Sequence, residues 1–458
     1  MAGAEGGEGR FGAAKRSALV RELRQARSKR AGPERPVARP APVAKAKPKA
    51  FDFATLPGHK QMRLQRSAAD MLGIDVPYFR EQEGYAGATC RIAGRELLNF
   101  SSYNYVGLNG HPKVREAAKA AIDAYGVSVS ASRVVAGERD LHARLEAGLA
   151  RFYGTESAVV MVSGHATNVT TIGTLMGPKD LVLVDGYIHN SITEGVRLSA
   201  AHRVVFPHND WAWVDDFLSR RRGEWDRVLI CVEGLYSMDG DWPDLPRFVE
   251  VKTRHDAWLM VDEAHALGVL GGTGRGLGEL QGVDPASVEI WMGTLSKTLS
   301  ACGGYVAGSS ALTEYLKATA PGFVFSVGLA APLAAAALAS LEVLEAEPER
   351  VARLAENGRR LLDAAKAAGL DVGTAMGSAV MPVIVGDSAR AAMLSDAVFK
   401  AGVNALPITF PAVPEKQARL RFFLTSEHDA EQIDRAVAVT AEALAGIRAR
   451  PLPFGATA

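Results

Sequence analysis

Lys297 stands in the stretch MGTLSKTLSACGG, residues 292–304, straight after the run Val288–Trp291. Its neighbours are hydroxyls and small residues: Thr294, Ser296, Thr298 and Ser300, then Gly303 and Gly304. A solvated surface lysine usually has charged neighbours. Two readings are open. A strand end followed by a loop, with the lysine reaching water, is the commoner outcome for such a stretch on its own. The other is a buried amine used in chemistry.

That chemistry would be addition to a carbonyl. A lysine amine forms a Schiff base with an aldehyde, and a pyridine ring conjugated to it then withdraws electrons. Such a site needs a carboxylate facing the ring nitrogen and a flat group stacked on the ring. It also needs a helix start among small residues to hold a phosphate. Asp262 ends the apolar run WLMVD, 35 residues before Lys297. Ser163–Gly164 follows SAVVMV at a strand-to-helix turn, and His189 follows DLVLVDG. Singly, Asp262 reads as a helix cap and His189 as structural. On successive strand ends, they are harder to ascribe to coincidence.

The elements that would position these residues are legible as a pattern. Short apolar runs (SAVVMVSG, DLVLVDG, RVLICVEG, AWLMVDEAH, VEIWMGT) alternate with helix-length segments. Runs of this kind suit strands buried on both faces, and the alternation predicts an α/β fold with a mostly parallel sheet covered by helices. Ligands in such sheets bind at the carboxyl ends of the strands. Those ends carry Ser163, Asp185, Glu233, Asp262–His265 and Thr294–Lys297. Beyond about residue 335 the pattern changes to helices over 330–346 and 348–369, short strands in AVMPVIVG and ARLRFFLT, and a last helix near 429–449. This predicts a smaller α+β domain over 336–450, after an N-terminal segment 51–100 and a large domain 101–335, with a short tail at 451–458.

Composition bounds the rest. The net charge of +1 hides 13 basic and 4 acidic residues in the first 50; the remaining 39 basic and 47 acidic leave the body at −8. Residues 31–50, AGPERPVARPAPVAKAKPKA, are expected to be a disordered linker. The preceding basic stretch reads as a solvated tail or a short amphipathic docking helix carrying Leu19, Val20 and Leu23. Cys90, Cys231 and Cys302 offer neither a disulfide framework nor zinc spacing, which points to a reducing cytoplasm. The uncharged stretch Ala318–Leu341 is broken by Pro321, Gly322, Gly328 and Pro332, so no membrane span is expected. GGTGRGLGE does not fit a dinucleotide motif, nothing indicates nucleic-acid binding, and His208 in FPHND reads as structural.

The motifs SSYNYVGL, MVSGHATN, DGYIHNSI, VEGLYSMDGD, VDEAHALGVLGGTGRG and GTLSKTLSACGGYVAG occur in that order. Together they resemble the pyridoxal-phosphate (PLP)-dependent α-oxoamine synthases over about residues 55–450. The resemblance implies the fold-type I aminotransferase architecture and a homodimer with active sites at the interface. It implies a C–C bond-forming acyltransferase that joins a small amino acid to an acyl thioester, with decarboxylation in most members. It makes Lys297 the Schiff-base lysine, pairs Asp262 with the ring nitrogen, stacks His189 on the ring and sets His265 near the ring hydroxyl. Ser237, Thr294 and the backbone of Gly164 and His165 become phosphate or ring-oxygen contacts, and Glu233 a supporting carboxylate. Ser326 would reach the partner subunit's phosphate. Arg421 would hold a substrate carboxylate and Asn104 the substrate.

Two departures stand out: His-Asn-Ser where many members have His-Ala-Ser, and PITFPAVP, with Thr409 and Phe410, where several have Arg-Pro-Pro. The longer motifs are more similar to serine palmitoyltransferase-like and polyketide-associated members, which often take the acyl group from a carrier protein rather than CoA. An aminotransferase or decarboxylase on the same fold is the alternative.

Overall fold

The computed structural model describes residues 52–449. The expectations for residues 1–50 and 451–458 lie outside the described residues. The chain forms two units, one ending at Leu64 and one beginning at Gln65. Of the first, the described part is the 3₁₀ turn Phe53–Thr55 and the start of the helix Pro57–Leu72. The three sheets belong to the second.

Strands β1 (Gln82–Glu83), β2 (Thr89–Ile92) and β3 (Arg95–Asn99) open that unit. Then come β4 (Ser157–Met161), β5 (Leu181–Asp185), β6 (His202–Phe206), β7 (Val228–Glu233), β8 (Trp258–Asp262), β9 (Ile290–Thr294) and β10 (Gly304–Gly308). These seven make the central sheet in the order β4-β10-β9-β8-β7-β5-β6. Within it only β10 runs antiparallel to its neighbours, pairing Gly304 with Met161 on one side and Thr294 on the other. The predicted parallel arrangement therefore holds for the rest.

The apolar runs form strands because both faces of the sheet are covered. Val159, Val182, Val184, Leu229, Met260 and Met292 lie in the core on one face. Val160, Leu181, Leu183, Ile230, Val261 and Trp291, their chain neighbours, lie in the core on the other. Burying such a side chain stabilises the fold by about 1.5–3 kcal/mol.

Strands β11 (Val380–Gly386), β12 (Val403–Asn404), β13 (Leu406–Ile408) and β14 (Ala418–Phe423) follow. An antiparallel sheet runs β11-β14-β13, and β12 joins the early strands in the order β1-β2-β3-β12. Leu98 thus pairs with Val403. The helices Ala331–Ala346, Glu349–Ala367 and Ala430–Arg448 match the predicted ones closely. We propose the junction of a large and a small domain near residues 335–346. The first of these helices still packs Ala336 and Ala339 against Val114 of the helix Pro112–Tyr125.

Candidate active site

A cavity of about 380 Å³ opens at the carboxyl ends of the central strands. The ends of β4, β5, β7, β8 and β9 contribute to it. Ser163 follows β4 and caps the helix Gly164–Leu175, its hydroxyl accepting the Ala166 N–H at 3.3 Å. His189 follows β5 and caps the helix Asn190–Ser199. Glu233 ends β7, Asp262 ends β8 and Thr294 ends β9.

Lys297 sits in the turn between β9 and β10. The Leu295 N–H donates to the Gly303 carbonyl at 2.9 Å, the Ala301 N–H to the Leu295 carbonyl at 2.9 Å, and Ser300 takes φ 52°. This explains the hydroxyl-rich stretch. Thr298 donates to the Leu267 carbonyl at 2.7 Å, and the Thr294 hydroxyl bonds Ser296 and Gly303. The small hydroxyls tie the turn down and the lysine is left over. Its amine has no hydrogen bond or ion pair among the described residues and lies 5.4 Å from the Tyr103 ring centre. Burial pushes its pKa down to about 8, against the opposing charges of Asp262 and Glu233. A neutral amine is the nucleophilic form.

Asp262 is braced on both oxygens: Oδ1 accepts the Ala264 N–H at 3.0 Å, and Oδ2 accepts Asn168 Nδ2 at 2.8 Å. Glu233 has one buried oxygen without a hydrogen bond, and burial, then Asp262, raises its pKa well above the usual range. His265 bonds the Tyr105 hydroxyl through Nδ1 at 2.6 Å, and burial holds its pKa well below 6.5. Arg421 projects from β14. Its Nη1 donates to the Ser237 carbonyl at 3.1 Å, and it has no carboxylate partner among the described residues.

The cradle at the helix start has no room for side chains. A Cβ on Gly164 would fall 2.7 Å from Thr294 Oγ1, and one on Gly304 2.5 Å from Thr167 Oγ1. Small residues thus bring a helix N-terminus, which favours anions, against the ends of β9 and β10. An anion cradle, a braced carboxylate, an imidazole and an unpaired lysine amine in one cavity fit PLP.

Lys297, Asp262, His265, His189, Ser237, Thr294, Gly164, His165, Glu233 and Arg421 all line this cavity. Asn104 does not. Its amide donates to the Ala86 carbonyl at 2.9 Å and its carbonyl oxygen accepts the Asn109 N–H at 3.0 Å, beside an adjoining cavity of about 300 Å³. Ser326 is also absent from the lining. Asn168 and Ser191 are the residues the sequence reading passed over. Both lay inside quoted motifs, and only their contacts single them out.

The family model for class I and II aminotransferases matches residues 95–439. An 8-amino-7-oxononanoate synthase of Symbiobacterium thermophilum is 41% identical over 77% of this chain and 89% of its own. A serine palmitoyltransferase structure from Sphingomonas wittichii superposes with TM-score 0.82 at 32% identity, covering 88% of this chain and 100% of that one. A structure described as SPT with a PLP internal aldimine gives 0.83 at 30% identity, over 87% and 100%. The chain belongs to the α-oxoamine synthases.

As an α-oxoamine synthase it has the fold-type I architecture and is a PLP-dependent acyltransferase that condenses an amino acid with an acyl thioester. The expectation from the motifs is met at that level. Among the described residues no helix is long and apolar enough to cross a membrane, and no cluster could hold a metal.

Proposed function

We propose that this α-oxoamine synthase joins a small amino acid (glycine, alanine or serine) to an acyl thioester in the cavity at Lys297. The convergence of an unpaired lysine amine with Asp262, His189 and the Gly164 cradle carries this reading. PLP, when bound, supplies an aldehyde for the lysine and an electron-withdrawing ring. Lys297 would hold it covalently and then, released as a free amine, move a proton at the substrate α-carbon. Asp262 would keep the ring nitrogen protonated, and the cradle of Ser163 and Gly164 at the start of the helix Gly164–Leu175 would bind the phosphate with Thr294 and Ser237. The guanidinium of Arg421, with no carboxylate partner among the described residues, suits a substrate carboxylate. His265 would face the ring hydroxyl, and Glu233 would support the site behind it.

The donor is a CoA or carrier-protein thioester. A homodimer is part of the proposal. Phe325 is 85% exposed and Val135 83%, on segments joined by the Gly328 N–H to the Ala131 carbonyl at 3.0 Å. An exposed apolar patch of this kind suits an interface, and would bring Ser326 toward the partner's cradle. Cys90, Cys231 and Cys302 are free, in keeping with a cytoplasmic setting.

The test is to supply each amino acid with and without an acyl thioester. Carbon dioxide and free thiol should appear only with both substrates. Turnover of the amino acid alone would favour a decarboxylase, and transfer of its amino group to a 2-oxo acid an aminotransferase.

A further inference from the structure

His189 touches a buried hydrogen-bond chain that none of its proposed neighbours explains. Its Nδ1 lies 2.7 Å from Ser191 Oγ and 3.3 Å from the Ser191 N–H. Ser191 Oγ in turn lies 2.9 Å from Asn168 Nδ2, whose other contact is Asp262 Oδ2 at 2.8 Å. Asn168 is 2% exposed, Ser191 fully buried and Asp262 4% exposed.

Proton counting gives the chain a direction. Both oxygens of Asp262 accept, so the Asn168 atom facing Oδ2 must be the amino nitrogen; an amide oxygen there would set two acceptors against each other. The amide has two hydrogens. One goes to Asp262 and the other to Ser191 Oγ, which is therefore an acceptor from that side. The single Ser191 hydroxyl hydrogen then has one partner left, His189 Nδ1. The Ser191 backbone N–H points at the same nitrogen. Two donors meet at Nδ1, so Nδ1 carries no proton.

We propose that Asn168 and Ser191 are positioning residues that lock His189 as the neutral Nε2–H tautomer, so that it meets the substrates only as a hydrogen-bond donor to a carboxylate or thioester carbonyl oxygen and never as a base. This rests on the acyl-thioester reading above for the identity of the oxygen, though the tautomer itself follows from the contacts alone. Burial lowers the His189 pKa against the opposing charge of Asp262, with the nearby Lys297 charge adding to the lowering. Orienting a histidine through its second nitrogen is a large effect where it has been isolated.

The experiment uses holoenzyme labelled with ¹⁵N-histidine, the His189 signals being those lost in His189→Asn. At pH 7 the wild type should show Nδ1 unprotonated and Nε2 protonated. Ser191→Ala and Asn168→Ala should each let the Nδ1–H form appear and lower kcat roughly 10–100-fold, the usual scale for an orienting partner, and Ser191→Thr should restore the wild-type spectrum. A protonated Nδ1 in the wild type overturns the proposal whether or not any variant folds, as does an unchanged tautomer in both alanine variants. Absence of thioester-dependent turnover in an enzyme with the expected spectrum would instead remove the acyltransferase reading and leave the lock standing.

Discussion

At the scale of single residues, the site depends on the contrast between a lysine without partners and a carboxylate with several. Burial lowers the Lys297 pKa to about 8. Its neutral fraction therefore grows as pH rises through about 8 rather than through the usual lysine range near 10.4. Covalent capture of PLP by apoenzyme, followed by absorbance, should accelerate with a midpoint near that value and vanish in Lys297→Ala. Borohydride fixation of PLP to another lysine would overturn the assignment. Asp262→Asn keeps the shape and removes the charge facing the ring nitrogen. A loss of about 10²–10³ in kcat is expected for such a preorganised charge, and near-wild-type turnover would show that the charge is not used.

At the scale of elements, the loop after β7 joins the pieces. It is held by Arg419, which donates to Asp239 Oδ1 at 2.6 Å, and by the Arg421 bond to Ser237. On its other side His208 lies between Asp185 at 2.8 Å and Asp241 at 3.1 Å, with the Tyr187 and Tyr236 rings against it and Asn209 beside it. Burial alone would lower the His208 pKa; the two aspartates outweigh it and raise the value to about 10. A raised folded-state pKa stabilises fully below the unfolded value of 6.5, and the gain is lost as pH climbs toward 10. Wild-type Tm should therefore fall between those values, and His208→Gln should lie below it at pH 6 and close much of the gap by pH 10. Parallel pH curves would deny the clamp this role. The sequence announced His208 only as structural, because its partners lie 23 and 33 residues away. The same distance effect hid Asn168, 94 residues from Asp262. It also hid the pairing of β3 with β12. By contrast β4, β5, β7, β8 and β9 were legible because burial on both faces writes itself into consecutive residues. The antiparallel β10 was not: GYVAG is as long as most of its neighbours, but it begins and ends in glycine and burial on both faces does not declare a direction.

At the scale of the whole molecule, charge is divided along the chain: +9 on residues 1–50 and −8 on the remainder. We propose that the basic segment attracts an acidic carrier protein bearing the acyl group, chiefly by raising the encounter rate. A CoA thioester is also anionic, so charge alone does not choose between donors, but the two differ in reach. A carrier presents a broad acidic surface, whereas a short acyl-CoA needs only the cavity. Deleting residues 1–50 should therefore raise KM for an acyl-carrier thioester, leave KM for a short acyl-CoA nearly unchanged, and leave kcat unchanged for both. The difference should shrink as salt is added, since the Debye length is about 8 Å at physiological ionic strength. Equal KM values for the full-length and truncated enzymes with the carrier substrate at low salt would show that the segment plays no part in donor capture.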